Sequence, residues 1–325
     1  MSLISRCAVA AALALAAAFA GPVLAQGAYP NKPIRFIVPF PPGGGTDILA
    51  RRVTTMMTDT LGWSVVVDNR PGAGGTLGIG LAAKASPDGY TLVIGQTSNL
   101  AIGPGLYGKL PYDALKDFTP ITLISAVPIV LTVGAKSPYA SLGDYIKAAK
   151  AKPEEVNYAS SGIGTVGHLS IELLQQLAGI KFIHVPYKGA AVAIPDLVAG
   201  RVAAFVSSLE TAAPHVKAGT QRALAVTSLK RSPTLPDVPT VAEAGYPGFS
   251  TVTWFGVLVP AKTPEAIVAR LSKEVVKILR TPKVRESMLD AGGDVPQGSK
   301  AFAAYLKDEH AKWAKIVKES GAKVE

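Results

Sequence analysis

The chain has 325 residues, 33 Lys and Arg against 23 Asp and Glu, a formal charge of +10 and a single cysteine, Cys7. That length supports a well-buried core and usually divides into lobes, while one cysteine rules out a disulfide framework. The positive charge is scattered apart from a modest clustering from Lys262 to Lys323. With no Arg-rich run, aromatic stacking motif or recognition-helix module, it argues against nucleic acid and for a solvated basic surface that favours acidic ligands or an anionic membrane face.

Met1–Ala25 carries Arg6 near its start, an apolar core from Cys7 to Ala20 and Val23-Leu24-Ala25 before Gln26, the pattern of a cleaved secretory signal. The apolar core is too short to span a bilayer. Cys7 opens that core rather than following it, so no lipid anchor is expected there, and the mature chain would start near Gln26 without any cysteine. Export to an oxidising compartment follows as the expectation.

From Ile34, strand-like runs alternate with helical patterns, which argues for parallel sheets with helices on both faces. Arg35–Phe40 is an apolar run that breaks into Pro41-Pro42-Gly43-Gly44-Gly45-Thr46-Asp47, after which Leu49, Val53, Met56, Met57 and Leu61 recur at helical spacing. The glycines let a ligand approach the backbone, and the helix N-terminus carries partial positive charge, so the turn suits a carboxylate or another small anion. It is neither a Walker loop nor a dinucleotide fingerprint. Thr46 or Asp47 is of the type that caps orphan N–H groups; we read Asp47 as a cap, with direct ligation of an amino group as the alternative.

Strands are expected over Ser64–Val67 and Thr91–Gly95, with a helix from Leu77 to Ala85 and turns at Asp68–Gly75 and Ser86–Gly89. Gln96-Thr97-Ser98-Asn99 places four amide or hydroxyl side chains at a strand's carboxyl end, where open parallel sheets bind ligands. Thr119–Ser125 and Ile129–Val133 read as a connected pair of strands broken at Pro128. After a helix from Leu142 to Lys150, the strand–glycine–helix design recurs. Asn157–Ser161 leads through Gly162-Ile163-Gly164 to Thr165 and a helix whose apolar face is Val166, Leu169, Leu173 and Leu177. Two such helix ends can face one ligand. Phe182–Gly189, a helix near Ile194–Ala199, the strand Ala203–Ser207, a helix from Glu210 and the strand Ala223–Thr227 continue the alternation. Past the turn-rich stretch Leu235–Pro247, Trp254–Val259 is a return strand. Helices over Pro264–Leu279, Pro282–Ala291 and Gly298–Ser320 close the chain, and Phe302, Tyr305, Leu306, Trp313, Ile316 and Val317 form a core stripe in the last.

An enzyme would need a nucleophile, a base or a metal. His168, His184, His215 and His310 fall in no metal-ligand spacing, so neither metal nor cofactor is expected. Ser161 lies near His168, but Ala159-Ser160-Ser161-Gly162 lacks the earlier glycine of a nucleophile elbow. A serine hydrolase using Ser161 and His168 stays as the alternative from another class. A further alternative is a ligand-sensing co-receptor of a membrane kinase.

The signal peptide, Tyr29–Arg35, the Pro39–Asp47 turn, Asn69–Gly75, Ser86–Leu92, Val185–Gly189 and Leu235–Gly245, together and in this order, closely resemble the Bug family, the tripartite tricarboxylate transporter substrate-binding proteins. The resemblance covers the mature chain. It implies a periplasmic receptor of the type II binding-protein (Venus flytrap) fold, two α/β lobes closing on a small carboxylate and handing it to a membrane permease. By that resemblance Phe40, Gly43, Gly44, Gly45, Thr46 and Asp47 face Ser160, Ser161, Gly162, Gly164, Thr165 and His168 across the ligand. Gln96, Thr97, Tyr187, Lys188 and Ser207 line the rest of the cleft. Where relatives often have Phe-Asp-Asn, this chain has Val206-Ser207-Ser208, which disfavours a ligand whose amino group relied on that acid. Lys188 either faces a second carboxylate or is a solvated turn lysine. The expected organisation is residues 26–125 with 250–325 as one lobe and 126–249 as the other, in a monomer hinged near Ser125 and Phe249.

Overall fold

The computed structural model describes residues 29–282, 297–320 and 322. The expected leader, Met1–Ala25, and the helix expected from Pro282 to Ala291, past its first residue, lie outside them. The elements below all belong to the contact unit that begins at Lys32.

The strands are β1 (Ile34–Val38), β2 (Val65–Asn69), β3 (Thr91–Gln96), β4 (Phe118–Gly134), β5 (Asn157–Ser160), β6 (Ile183–Pro186), β7 (Phe205–Ser208), β8 (Gln221–Val226) and β9 (Val252–Pro260). They follow one hydrogen-bonded path, β2-β1-β3-β9-β4-β7-β5-β6, with β8 also on β4. In the first half β1 lies between parallel β2 and β3, Phe36 opposite Val67 and Leu92. Only Arg35 of β1 is exposed, the near-continuous apolar run of a strand covered on both faces. The second half repeats the plan around β5, with Ala159 opposite Val185 of β6 and Phe205 of β7, both parallel.

Strand β4 joins the halves. The break expected at Pro128 is absent: the chain runs unbroken from Phe118 to Gly134. Residues 118–128 pair with β9, and from Ile129 the partners become β7 and β8. Pro128, which has no N–H to give, stands at the hand-over between partners, where a missing donor does least harm. Thr227, after β8, clips the junction: its hydroxyl donates to Thr251 O (2.6 Å) and accepts from Ile129 N (2.9 Å).

The helices are α1 (Gly45–Leu61), α2 (Thr76–Ala83), α3 (Gly103–Leu106), α4 (Leu142–Ala151), α5 (Val166–Ala178), α6 (Ala190–Val198), α7 (Leu209–Lys217), α8 (Glu265–Leu279) and α9 (Ser299–Ser320). Leu49, Val53 and Met57 form the buried face of α1, which stops where Gly62 takes the left-handed conformation. Ser141 and Asp144 close a capping box on α4. The expected face of α5 holds at Val166 and Leu169 but not at Leu177, which is 54% exposed. Val166–Ile171 is buried all round because the start of α5 enters the seam between the two halves; only its second part is amphipathic. Helix α6 begins at Ala190, earlier than expected, directly after the positive φ of Gly189. In α9, Phe302, Leu306, Trp313 and Val317 are buried as expected, and Glu309 among them accepts from the indoles of Trp254 and Trp313 (3.0 Å each). No helix among the described residues is long and apolar enough to cross a membrane.

Candidate functional site

Four helices point their N-termini at one place between the halves: α1 at Gly45, α5 at Val166, α6 at Ala190 and α7 at Leu209. They enclose an inner chamber of about 70 Å³, room for a carboxyl group or a few waters. Gly44, Gly45 and Thr46 bring the first end, Thr165–Gly167 the second, Gly189 and Ala190 the third, Ser208 and Thr211 the fourth, and none of the lining residues is charged. An outer chamber of about 590 Å³ shares Phe40, Pro41, Ser161 and Gly189 with it and opens past Gly72–Gly75, Tyr107, Ile163, Tyr187 and Lys188.

The first wall is built by Asp47. It is not the N-cap; Gly44 holds that position, without a side-chain cap. Three residues on, Asp47 accepts from Gly43 N (3.0 Å), Arg51 Nε (2.9 Å) and Asn69 Nδ2 (2.9 Å), and Asn69 Nδ2 also reaches Phe40 O (3.0 Å). The carboxylate thus folds the glycine turn back over the helix and faces away from the chamber. Burial alone would raise its pKa, but the bonds from Arg51, Asn69 and Gly43 hold it below the usual carboxylate range. The charge that would repel an anion is satisfied inside its own lobe.

The second wall turns at Gly162 (φ 139°) and Gly164 (φ 75°), left-handed positions that favour glycine. The hydroxyl of Thr165 caps α5 by accepting from His168 N (3.4 Å) and donates to Gly162 O (2.8 Å). Ser160 is wholly buried, its Oγ within 2.7 Å of His184 Nε2 and 3.1 Å from Gly162 N. His168 stacks on His184 (4.2 Å between centroids), which stacks on Tyr158 (4.8 Å). Burial pushes His168 down to about 3 and His184 to about 4, so both rings are neutral at neutral pH.

Of the residues singled out in the sequence, Phe40, Gly44, Gly45, Thr46, Gln96, Ser161, Thr165 and Ser207 line the inner chamber. Gly162, Tyr187 and Lys188 join Phe40 and Ser161 around the outer one. Asp47, Thr97, Ser160, Gly164 and His168 are buried and line neither chamber, and Gly43, also outside both linings, is exposed. Thr97 is a staple, its Oγ1 accepting from Trp254 N (2.9 Å). Ser161 and His168 form no hydrogen-bonded pair among the described residues, because His168 Nδ1 takes the amide of Gly164 (3.3 Å) and Nε2 faces Glu172 (3.8 Å).

Sequence reasoning missed Thr253 and Phe255 of β9 and the ends of α6 and α7. Gly189 before an alanine-rich run and Ser208 before Leu209 were the available signals for the two helix ends; nothing local marks β9.

The halves touch across the cleft. Val166 N donates to Ser98 Oγ (3.3 Å) and Tyr107 Oη to Ile163 O (3.4 Å), while Gly43 and Gly189 leave space into which Ala191 and Pro41 fit. Two α/β halves shut on an uncharged, dipole-lined chamber define a two-lobed solute-binding receptor.

The sequence comparisons agree. The tripartite tricarboxylate transporter family receptor model matches residues 49–322, and the chain belongs to that family. Protein BugT of Bordetella pertussis is 40% identical over 313 residues, covering 95% of each chain. A structure described as Rpa4515 of R. palustris with adipate is 37% identical at a TM-score of 0.87, covering 91% of this chain and all of that one. MatC from Rhodopseudomonas palustris with bound malate is 34% identical at a TM-score of 0.83, covering 89% of this chain and all of that one.

Proposed function

We propose that this protein captures a small carboxylate between its lobes without catalysis and, as a periplasmic monomer released from the leader Met1–Ala25, presents it to the membrane permease of a tripartite tricarboxylate-type transporter. The observation that carries the reading is the convergence of four helix N-termini on a chamber with no charged lining. Each such end contributes roughly 0.3–1 kcal/mol to an anion, and up to ~2 when partly buried. Hydrogen bonds that helix-end amides give to the carboxylate would add about 1.5–3 kcal/mol each, so a micromolar complex, about 8 kcal/mol, needs no lysine or arginine.

The inner chamber holds one carboxylate, bounded by Gly44–Thr46, Thr165–Gly167 and Gln96; the rest of the ligand extends towards Tyr187 and Lys188. Relatives described with adipate and malate support a dicarboxylate of four to six carbons. The lobes are 26–125 with 250–325 and 126–249, in keeping with the change of partners along β4 and the Thr227 clip. A thermal-shift screen of mono-, di- and tricarboxylates against their neutral amides tests the reading: a ligand at a hundred times its Kd stabilises by about 2.7 kcal/mol. Acids should shift Tm and amides should not; equal shifts from both would end the proposal.

A further inference from the structure

We propose that Glu210 is a proton-binding site coupled to lobe closure: shutting the cleft takes up a proton at its carboxylate, and opening releases it. The inference rests on movement of the lobes and not on which carboxylate is carried.

Glu210 lies in the first turn of α7, outside both chambers. Its side chain is half-buried, yet both carboxylate oxygens are sealed from solvent and neither has a hydrogen bond of good geometry. A charge so placed is costly unless it is paired or protonated. The first turn that carries Glu210 lies at the seam. Helix α7 starts against the start of α1 from the other lobe, so closely that a Cβ on Gly45 would stand 2.3 Å from Ser208 Oγ and 3.2 Å from Thr211 Oγ1. Two turns along α1, Arg52 is the charge that reaches Glu210. Arg51 and Asp47 on the same helix bond each other. Of the strands packed on α7, β4 and β7 carry no titratable side chain, and Arg222 of β8 is held by the carbonyls of Ala135, Ser137 and Tyr139. Within α7, His215 and Lys217 lie in the last turn.

With the lobes shut, burial pushes Glu210 up to about 7, against the opposing pull of its own amide, the Ser208 hydroxyl and Arg52. With the lobes apart, water reaches the carboxylate and its pKa returns towards the ordinary 4.5. Between those values the closed form holds the proton and the open form does not. Closure is therefore favoured as pH falls below 7, and the gain is complete below 4.5. From pH 8 to 5.5 the closed-to-open ratio should rise by about 30-fold at most.

The test places a fluorophore pair on Lys84→Cys and Lys150→Cys, exposed positions in the two proposed lobes, in the mature chain from Gln26, which has no other cysteine, and reads the inter-lobe distance distribution from pH 8 to 5.5. Acid should enrich the closed population in this protein and leave it unchanged when Glu210→Gln is added. An equal response in both, or none in the parent, overturns the proposal. Melting supplies an independent check on folding: E210Q should melt above the parent at pH 8, the gap should narrow as pH falls and close only below pH 4.5, and coincidence at pH 8 also overturns it.

Discussion

Gly45→Ala separates ligand capture from folding. Gly45 is the first residue of α1, buried, with a helical backbone that alanine adopts readily. Within its own lobe alanine, the better helix former, should be no less stable than glycine at this first helical position. Across the seam, the new methyl would meet Ser208 Oγ at 2.3 Å, Thr211 Oγ1 at 3.2 Å and Ser208 Cβ at 3.5 Å. Ser208 must rotate and give up its 3.3 Å contact with Thr211, and the lobes must stand off by a few tenths of an ångström. Overpacking of this kind costs about 1–3 kcal/mol, charged here to the closed form alone, so the Kd should weaken about 5- to 150-fold. Titration calorimetry with the carboxylate from the screen reads that loss, and melting of the unliganded protein should be unchanged or raised. A Kd within twofold of the parent would refute the reasoning, because capture would then not require this seam to close.

Asp47→Ala should lower stability by about 1–3 kcal/mol, because it leaves Gly43 N–H and the Asn69 amide without their acceptor. The deficit, read from urea melts, should be constant above pH 3.8 and shrink below it, since the folded pKa is depressed and the contribution is lost as the carboxylate protonates. His168 and His184 are held neutral at about 3 and about 4. Unfolding frees them to protonate near 6.5, so stability is full above that pH and falls as pH drops from 6.5 towards 4; His168→Gln should flatten part of this slope in Tm against pH. Lys188→Ala should weaken binding of a dicarboxylate by no more than about fivefold, as for an exposed ion pair, and leave a monocarboxylate unchanged. Equal effects on both would place Lys188 in solvent.

Much of the fold was legible because it is carried by local chemistry. The apolar run of β1, the glycine turns before α1 and α5 and the stripe of α9 each name their element from a few adjacent residues. So do the two helix ends that bracket the inner chamber. The rest depends on distant partners. Pro128 reads as a break, and only the change from β9 to β7 and β8 explains why the strand continues. Asp47 has the look of a cap, but Asn69, at the end of another strand, turns it into an anchor for the glycine loop. Leu177 fits the helical period and lies exposed, because the early turns of α5 are buried by the seam and shift its packed face. Nothing along the chain marks Glu309 or Glu210: the first holds two indoles, and both carboxylate oxygens of the second are buried without a hydrogen-bond partner, neither of which a local pattern reveals.

The most direct measurement is a crystal structure with a carboxylate from the screen bound. The account predicts its carboxylate in the inner chamber, with oxygens within hydrogen-bonding distance of amides at the starts of α1 and α5, directly or through water, and no lysine or arginine in contact. A carboxylate gripped by basic side chains elsewhere, with the inner chamber empty of it, would contradict the claim that backbone dipoles recognise the cargo.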